Sequence, residues 1–524
     1  MPPIHALIVE DDSDWQDILR AGLSKLTTEI VIAADSAQAE TFLKDSSFDL
    51  ITVDLDLWGL PAARPAALSA TIELLKRIRR TGPNRFAAMA IVTAYPEPEN
   101  FNEILALQLA QAYLAKGKGL NSARFLASMR EALLDARISR LEAEAEERIV
   151  LTLRAGDQEW FGCSLSGGQR ADHSFLHPVA FSDAGLAEKS DRIGQNFSTE
   201  IDLLASNKTW QMGKLWRPVA KEVGEGIYRE LNSHPTLAKY LSSASLPDSG
   251  PPLLLRFSSP VSSVRIPFEL THDFNDFLCL EHPIVRRASG RDLIRSPQAL
   301  STLLRWIKTA DEAFRILVIA AQPSNAQHQL PSLSTEVEMV KELVLTELQD
   351  HLGVRVETIV LKGADASPRG VREAILQGAH FLHYAGHGLF DDKLGEKSGI
   401  VLEQDGLPKV LSAADLKSLV ADSSLRFCFF NCCLSARSAA SRDRGDFAGL
   451  FEALLVGSVP TMLGHRWEVL DRSSVEFARA FYTNLWRTFR FEDAVFAARK
   501  AVALGDLGRD DPCWASPILI DQSE

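Results

Sequence analysis

HisPheLeuHisTyrAlaGlyHisGlyLeuPhe, residues 380–390, is a short apolar run that stops abruptly at glycine, histidine and a second glycine. LeuArgPheCysPhePheAsnCysCysLeuSerAlaArg, residues 425–437, is its counterpart and stops at asparagine and two cysteines. Length and β-rich composition mark both runs as buried parallel strands, like ArgIleLeuValIleAlaAla (315–321) and ValArgValGluThrIleVal (354–360). If the first two are neighbours in a sheet, the separation of 46 residues (433 − 387) holds one helical crossover. His387 and Cys433 then stand at the same carboxyl edge, where an α/β sheet presents its ligand groups.

That pairing has a chemical meaning. A thiol attacks as thiolate, and an adjacent imidazole both lowers its pKa and shuttles the proton. Gly388 lets a substrate approach the backbone closely, and its N–H together with that of Cys433 forms an expected oxyanion hole. The neighbouring residues carry plainer expectations. Cys428 lies within a strand and reads as a small buried hydrophobe. His380 and His383 differ in parity, face opposite sides of their strand and are expected to pack or hydrogen-bond structurally.

Up to about residue 135, short apolar runs alternate with helical periodicity. The expected strands are 6–9, 30–33, 50–53, 90–93 and 112–115, with helical stretches such as Trp15 to Leu26 and Thr71 to Arg80 between them. Such alternation predicts a doubly wound parallel sheet. Carboxylates cluster where the first and third strands end: Glu10, Asp11 and Asp12, then Asp54 and Asp56. Converging hard oxygens suit Mg²⁺, which takes one or two carboxylates plus water and phosphate oxygens. Thr93 ends the fourth strand and Lys116 follows the fifth, offering a hydroxyl and an ammonium to a phosphoryl group.

Residues 138–150 place Ile138, Leu141, Ala145 and Ile149 in a narrow stripe on a charged helix, the pattern of a helical linker able to pair two copies. Turn-rich residues 164–169, a helical region around Trp210 to Leu241, and the Ser/Pro-rich boundary 242–252 fill the middle of the chain. The expected division is therefore 1–136, a linker 137–150, an intermediate region 151–250 whose role the sequence does not disclose, and 251–524.

Composition bounds the rest. The chain has 524 residues, 46% hydrophobic and 24% charged, as in a soluble protein of several domains. A net charge of −13 argues against non-specific binding to nucleic acid or anionic lipid. Residues 1–12 read as a first strand, not a leader, and no stretch reaches membrane-spanning length. Six cysteines, two of them adjacent and none at zinc-finger spacing, place the chain in a reducing cytoplasm.

IleValGluAspAsp (8–12), PheAspLeuIleThrValAspLeuAspLeu (48–57), IleValThrAla (91–94) and AlaTyrLeuAlaLys (112–116) together resemble the response-regulator receiver family. The resemblance implies a flavodoxin-like fold. It makes Asp54 the phosphoacceptor and makes Glu10, Asp11, Asp54 and Asp56 the Mg²⁺ site, Asp56 through its carbonyl. It also assigns Thr93 and Lys116 to the phosphoryl oxygens and Tyr113 to the switching aromatic position. Gly117 stands where the family usually has proline, and residues 60–70 look like an insertion.

From about residue 253 onward the chain resembles the CHAT family of caspase-like peptidases, relatives of separases and caspases. IleProPheGluLeu (266–270), PheLeuHisTyrAlaGlyHisGly (381–388), AsnCysCysLeuSerAla (431–436), residues 448–464 and ArgTrpGluValLeuAsp (466–471) carry the likeness in order. The resemblance implies a caspase-like α/β domain with His387 as general base and Cys433 as nucleophile. Cys432, where the family commonly has alanine, is expected to be a bystander.

The combined expectation is a cysteine endopeptidase acting on a protein substrate in bacterial signalling or defence. A histidine kinase or other regulatory protein, or homodimerisation through the receiver or linker helix, would control it; the peptidase needs no cofactor. The alternatives are a catalytically idle scaffold on two enzyme-like folds, or a metal-dependent hydrolase using the N-terminal carboxylates.

Overall fold

The computed structural model describes the chain outside residues 1–3, 56, 58–63, 81, 95–108, 118–120, 149, 156–159, 167–172, 179–182, 208, 234–237, 239–240, 242–252, 261–265, 290–299, 324–329, 392–396, 422, 434–438, 441–446, 449, 457–458 and 523–524. It divides into two compact units. The first joins residues 1–144 to an outlying segment, 345–355, and the second comprises 145–344 and 356–524.

In the first unit, strands β1 (His5–Val9), β2 (Glu29–Ala33), β3 (Leu50–Val53), β4 (Ala88–Thr93) and β5 (Ala112–Ala115) form a sheet of order β2-β1-β3-β4-β5. Every pairing is parallel. Helices α1 (Ser13–Leu23), α2 (Ser36–Asp45), α3 (Arg64–Arg80) and α4 (Ser122–Glu147) alternate with the strands. This is the expected doubly wound fold, because buried aliphatic strands need a helix on each face. α4 runs unbroken for 26 residues, so the charged stretch expected as a linker continues the last helix of this unit.

The second unit is built on one mixed sheet of order β12-β11-β13-β17-β20-β21-β10-β9-β6-β7-β8. Its heart is four parallel strands: β12 (Val356–Lys362), β11 (Phe314–Ala321), β13 (Phe381–Gly386) and β17 (Phe427–Asn431). β20 (Thr461–His465) continues in parallel, and β21 (Pro517–Asp521) turns antiparallel to it. β10 (Ile284–Ser289) and β9 (Leu254–Pro260) follow. Beyond them lie β6 (Val150–Ala155), β7 (Trp160–Ser166) and β8 (His173–Pro178), so residues 150–178 extend the same sheet.

One face of the four-strand heart packs aromatics. Phe381 and Phe427 meet Trp486 and Phe491 from α12 (Asp471–Thr488) and α13 (Phe491–Ala503), and α8 (Leu333–Val344) lies beside α12. The other face buries Leu382, Tyr384, Cys428 and Phe430 against α9 (Pro368–Leu376), α10 (Ala413–Val420) and α11 (Leu450–Val456). The remaining helices are α5 (Asp183–Ser206), α6 (Trp216–Asn232) and α7 (Leu300–Thr309). A ribbon of β14 (Gly388–Leu389), β15 (Gly399–Gln404) and β16 (Leu407–Ser412) rises from the edge of β13, and β18 (Ala439–Ala440) pairs with β19 (Phe447–Ala448). Among the described residues no helix is long and apolar enough to cross a membrane.

Candidate active site

The register of the two central strands decides what stands at the sheet edge. β13 and β17 run parallel from Phe381 opposite Phe427 to Ala385 opposite Asn431, an offset of 46 residues throughout. His387 and Cys433 share that offset, two positions past the last pair. Neighbouring strands lie about 4.8 Å apart, so register continued past the last pair would bring the two residues to adjacent positions. The alternation agrees: Cys432 is buried in the core of the opposite face with Tyr384 and Phe430, which leaves Cys433 on the face of His383 and Asn431.

Glycine makes this approach possible. A Cβ on Gly388 would come within 2.2 Å of the Cys433 carbonyl oxygen and 3.2 Å of the Cys432 sulfur. The Val401 N–H donates to the His387 carbonyl (3.0 Å), which makes Gly388 and Ile400 the non-hydrogen-bonded pair of the ribbon. Gly388 N–H therefore points away from β15. The Tyr384 hydroxyl lies within donating distance of the carbonyls of His387 (2.8 Å) and Val401 (2.7 Å), pinning the backbone that carries the imidazole.

His387 and Cys433 are each partly exposed at this edge, whereas the other candidates are not. His380 accepts the Arg315 N–H on its Nδ1 (3.0 Å), and burial pushes its pKa down to about 4. His383 is fully buried between Glu336 and Tyr482. Cys428 is enclosed, and burial drives its thiol far up. All three have the structural roles expected of them. Burial also pushes the Cys433 thiol up, to about 11, against a hydrogen bond with the Val469 backbone, and the Glu468 carboxylate adds to the rise.

Beneath the edge lies a polar layer that sequence reasoning missed. Glu336, His383, Asn431, His465 and Tyr482 come from α8, β13, β17, β20 and α12, and all are buried. One signal was available: Glu336 falls on the apolar stripe Leu333–Val337–Val340–Val344 of α8, where a carboxylate needs partners.

At the carboxyl end of the N-terminal sheet, Glu10, Asp11 and Asp54 place ligand oxygens within 4.8 Å of one another. Lys116 Nζ bridges Glu10 (2.6 Å) and Asp54 (2.7 Å). Burial raises the Glu10 carboxyl to about 7, with Lys116 opposing and Asp54 reinforcing the shift. Three hard oxygens converging beside a strand end fit a Mg²⁺ ion. Asp12 faces a different task, capping α1 by accepting from Asp14 N–H and Trp15 N–H. Thr93 ends β4, and its carbonyl accepts the Lys116 N–H (2.7 Å). Gly117 follows with φ +139°, backbone that favours glycine. Asp56 lies outside the described residues.

The fold defines a flavodoxin-like doubly wound unit and a second α/β unit with the candidate residues past the carboxyl ends of β13 and β17. Residues 221–522 match the CHAT domain family model. That is more than half of the chain, so the chain belongs to the CHAT-domain family. No curated protein matches it. Among solved structures it is similar to a CheY-like receiver domain protein from Methanospirillum hungatei JF-1, 23% identical over 26% of this chain and 98% of that one, TM-score 0.21. A sensor protein from Polaromonas sp. JS666 is 25% identical over 26% of this chain and 99% of its own, TM-score 0.21. A chain of the Saccharomyces cerevisiae separase–securin complex is 10% identical, TM-score 0.39; the match covers 87% of this chain and 38% of that one.

Proposed function

We propose that the chain is a cysteine endopeptidase whose dyad is His387 and Cys433, controlled through its receiver-like unit. The observation that carries the reading is the common 46-residue offset of β13 and β17 and of the two residues beyond them. In the reaction, Cys433 Sγ bonds to the scissile carbonyl carbon as its proton passes to His387. Collapse of the tetrahedral intermediate breaks the C–N bond, and His387 returns the proton to the leaving amine. Water then cleaves the thioester and restores the thiol. The N–H groups of Gly388 and Cys433 would stabilise the oxyanion, worth a few kcal/mol per donor.

A thiol pushed up to about 11 fits a resting enzyme that must move before it acts. Control would begin at Asp54, phosphorylated by a histidine kinase or comparable donor, with Thr93 and Lys116 receiving the phosphoryl oxygens. Glu10, Asp11 and Asp54 would hold Mg²⁺, joined by the Asp56 carbonyl; the ion supplies charge neutralisation to the phosphoryl group. Support for a route to the dyad comes from the outlying segment 345–355 of the first unit. Arg130 of α4 donates Nε–H to the Asp350 carbonyl (2.6 Å), and Arg137 lies 3.7 Å from Glu347. The same segment is continuous in sequence with α8 before it and β12 after it.

Cys279, Cys428, Cys433 and Cys513 form no disulfide, in keeping with a reducing cytoplasm and a setting in bacterial signalling or defence. The partners implied are a protein substrate and a second copy of the chain, paired through the receiver-like unit or the linker helix. Labelling with iodoacetamide or a peptidyl chloromethyl ketone tests the nucleophile: the label should map to Cys433 and disappear in Cys433→Ala. Label that persists in that variant, or that maps to Cys432, contradicts the assignment.

A further inference from the structure

The polar layer under the dyad is wired in one direction. Asn431 Oδ1 can only accept, so His465 Nε2–H donates to it (2.8 Å). Asn431 Nδ2 in turn donates to Glu336 Oε1 (2.5 Å) and to the Ser474 carbonyl (3.2 Å). The same Glu336 oxygen accepts His383 Nε2–H (2.8 Å), and His383 Nδ1 lies within hydrogen-bond distance of the Tyr482 hydroxyl (3.1 Å). Burial keeps His465 neutral, with a pKa near 3, so its tautomer is set by this chain of bonds and not by pH. Asn431 is the last residue of β17, two before Cys433, and its amide is held by bonds from α8, α12 and β20.

We infer that Glu336 is a positioning residue for the Cys433 nucleophile, acting through the side chain of Asn431. This rests on the peptidase reading above. A single carboxylate oxygen fixes both the asparagine at the end of the nucleophile strand and a histidine on the strand that carries His387. It thereby sets the level at which the two strands release their reactive residues. Charge-assisted bonds in a buried layer are stiff enough to hold that level, and an ångström of misplacement costs far more in rate than in binding. Segment 345–355 follows α8, which carries Glu336, directly in sequence.

The test compares full-length Glu336→Ala, Glu336→Gln and Asn431→Asp with wild type. Each is assayed for peptide cleavage, thermal midpoint and the pH profile of Cys433 alkylation by iodoacetamide. Glu336→Ala should lower kcat 10- to 100-fold with KM within about twofold. Glu336→Gln keeps an accepting oxygen and should recover most of that loss. Asn431→Asp sets two carboxylates against each other and should be worse than Glu336→Ala. The alkylation midpoint of Cys433 should shift in Glu336→Ala and return in Glu336→Gln. Equal losses in the alanine and glutamine variants, or an unmoved alkylation profile in both, overturn the proposal. If wild type cleaves nothing, the peptidase reading fails, while the alkylation profile still decides whether Glu336 governs the thiol. If Glu336→Ala does not fold, Glu336→Gln against Asn431→Asp carries the same comparison: parity between them overturns the inference.

Discussion

Gly388 shows how one missing methyl group builds a site. Its Cα lies so close to the Cys433 carbonyl that a Cβ would intrude to 2.2 Å on backbone that has little room to retreat. Gly388→Ala should therefore push the β14 ribbon off the end of β17 and cut activity at least 100-fold, with the thermal midpoint changed by only a few degrees. Unchanged activity in that variant would mean that this close approach is not used. Glu269 makes the opposite point, that a buried charge survives only when paired. Burial pushes its carboxyl up, but Arg286, bound through two nitrogens at 2.5 and 2.6 Å with Arg466 and Arg499 behind it, pulls it down to about 2. Its folded pKa is depressed, so its stabilising contribution is present above the ordinary value of 4.5 and is lost as pH falls toward 2. Glu269→Ala leaves Arg286 buried and uncompensated and should cost roughly 3–5 kcal/mol in denaturant unfolding. A loss below about 1 kcal/mol would contradict that account. Glu10 shifts the other way: with its carboxyl at about 7, protons compete for the site below neutrality. Calorimetric Mg²⁺ affinity should fall as pH drops from 8 to 6, and a flat profile would remove Glu10 from the ligand set.

At the scale of elements, what a sequence makes visible is what has local periodicity. All five strands of the first unit were expected within two residues of where they lie, because each is a short aliphatic run between helical patterns. The four strands at the heart of the second unit were legible for the same reason. The strands at 150–178 were not, since short turn-rich segments carry no strong alternation and the partner of β6 is β9, about 100 residues downstream. The polar layer was half legible: Asn431 stands in a quoted motif, but nothing local tells that His465 and Glu336 converge on it. Helix α4 and segment 345–355 also meet across about 200 residues of chain, where no sequence pattern reaches. If that contact transmits the state of Asp54, Arg130→Ala should leave basal activity unchanged and abolish the response to beryllofluoride and Mg²⁺. A full response in Arg130→Ala would exclude the segment as the route.

For the whole molecule, two doubly covered sheets place their chemistry at the carboxyl ends of their strands, as open α/β sheets do. One edge gathers carboxylates and a lysine around Asp54; on the proposed reading the other carries Cys433 and His387. Burial pushes the Cys433 thiol up at the second edge, so relief of that burial is what the first edge would have to supply. Activity should therefore depend on both edges: Asp54→Asn should remove stimulation by beryllofluoride while leaving a basal rate. The most direct measurement is a proteome digest, read by mass spectrometry, with beryllofluoride-treated wild type beside Cys433→Ala, Cys432→Ala and His387→Ala. New peptide termini should appear with wild type and Cys432→Ala and vanish with the other two. Termini that persist in Cys433→Ala would contradict the dyad.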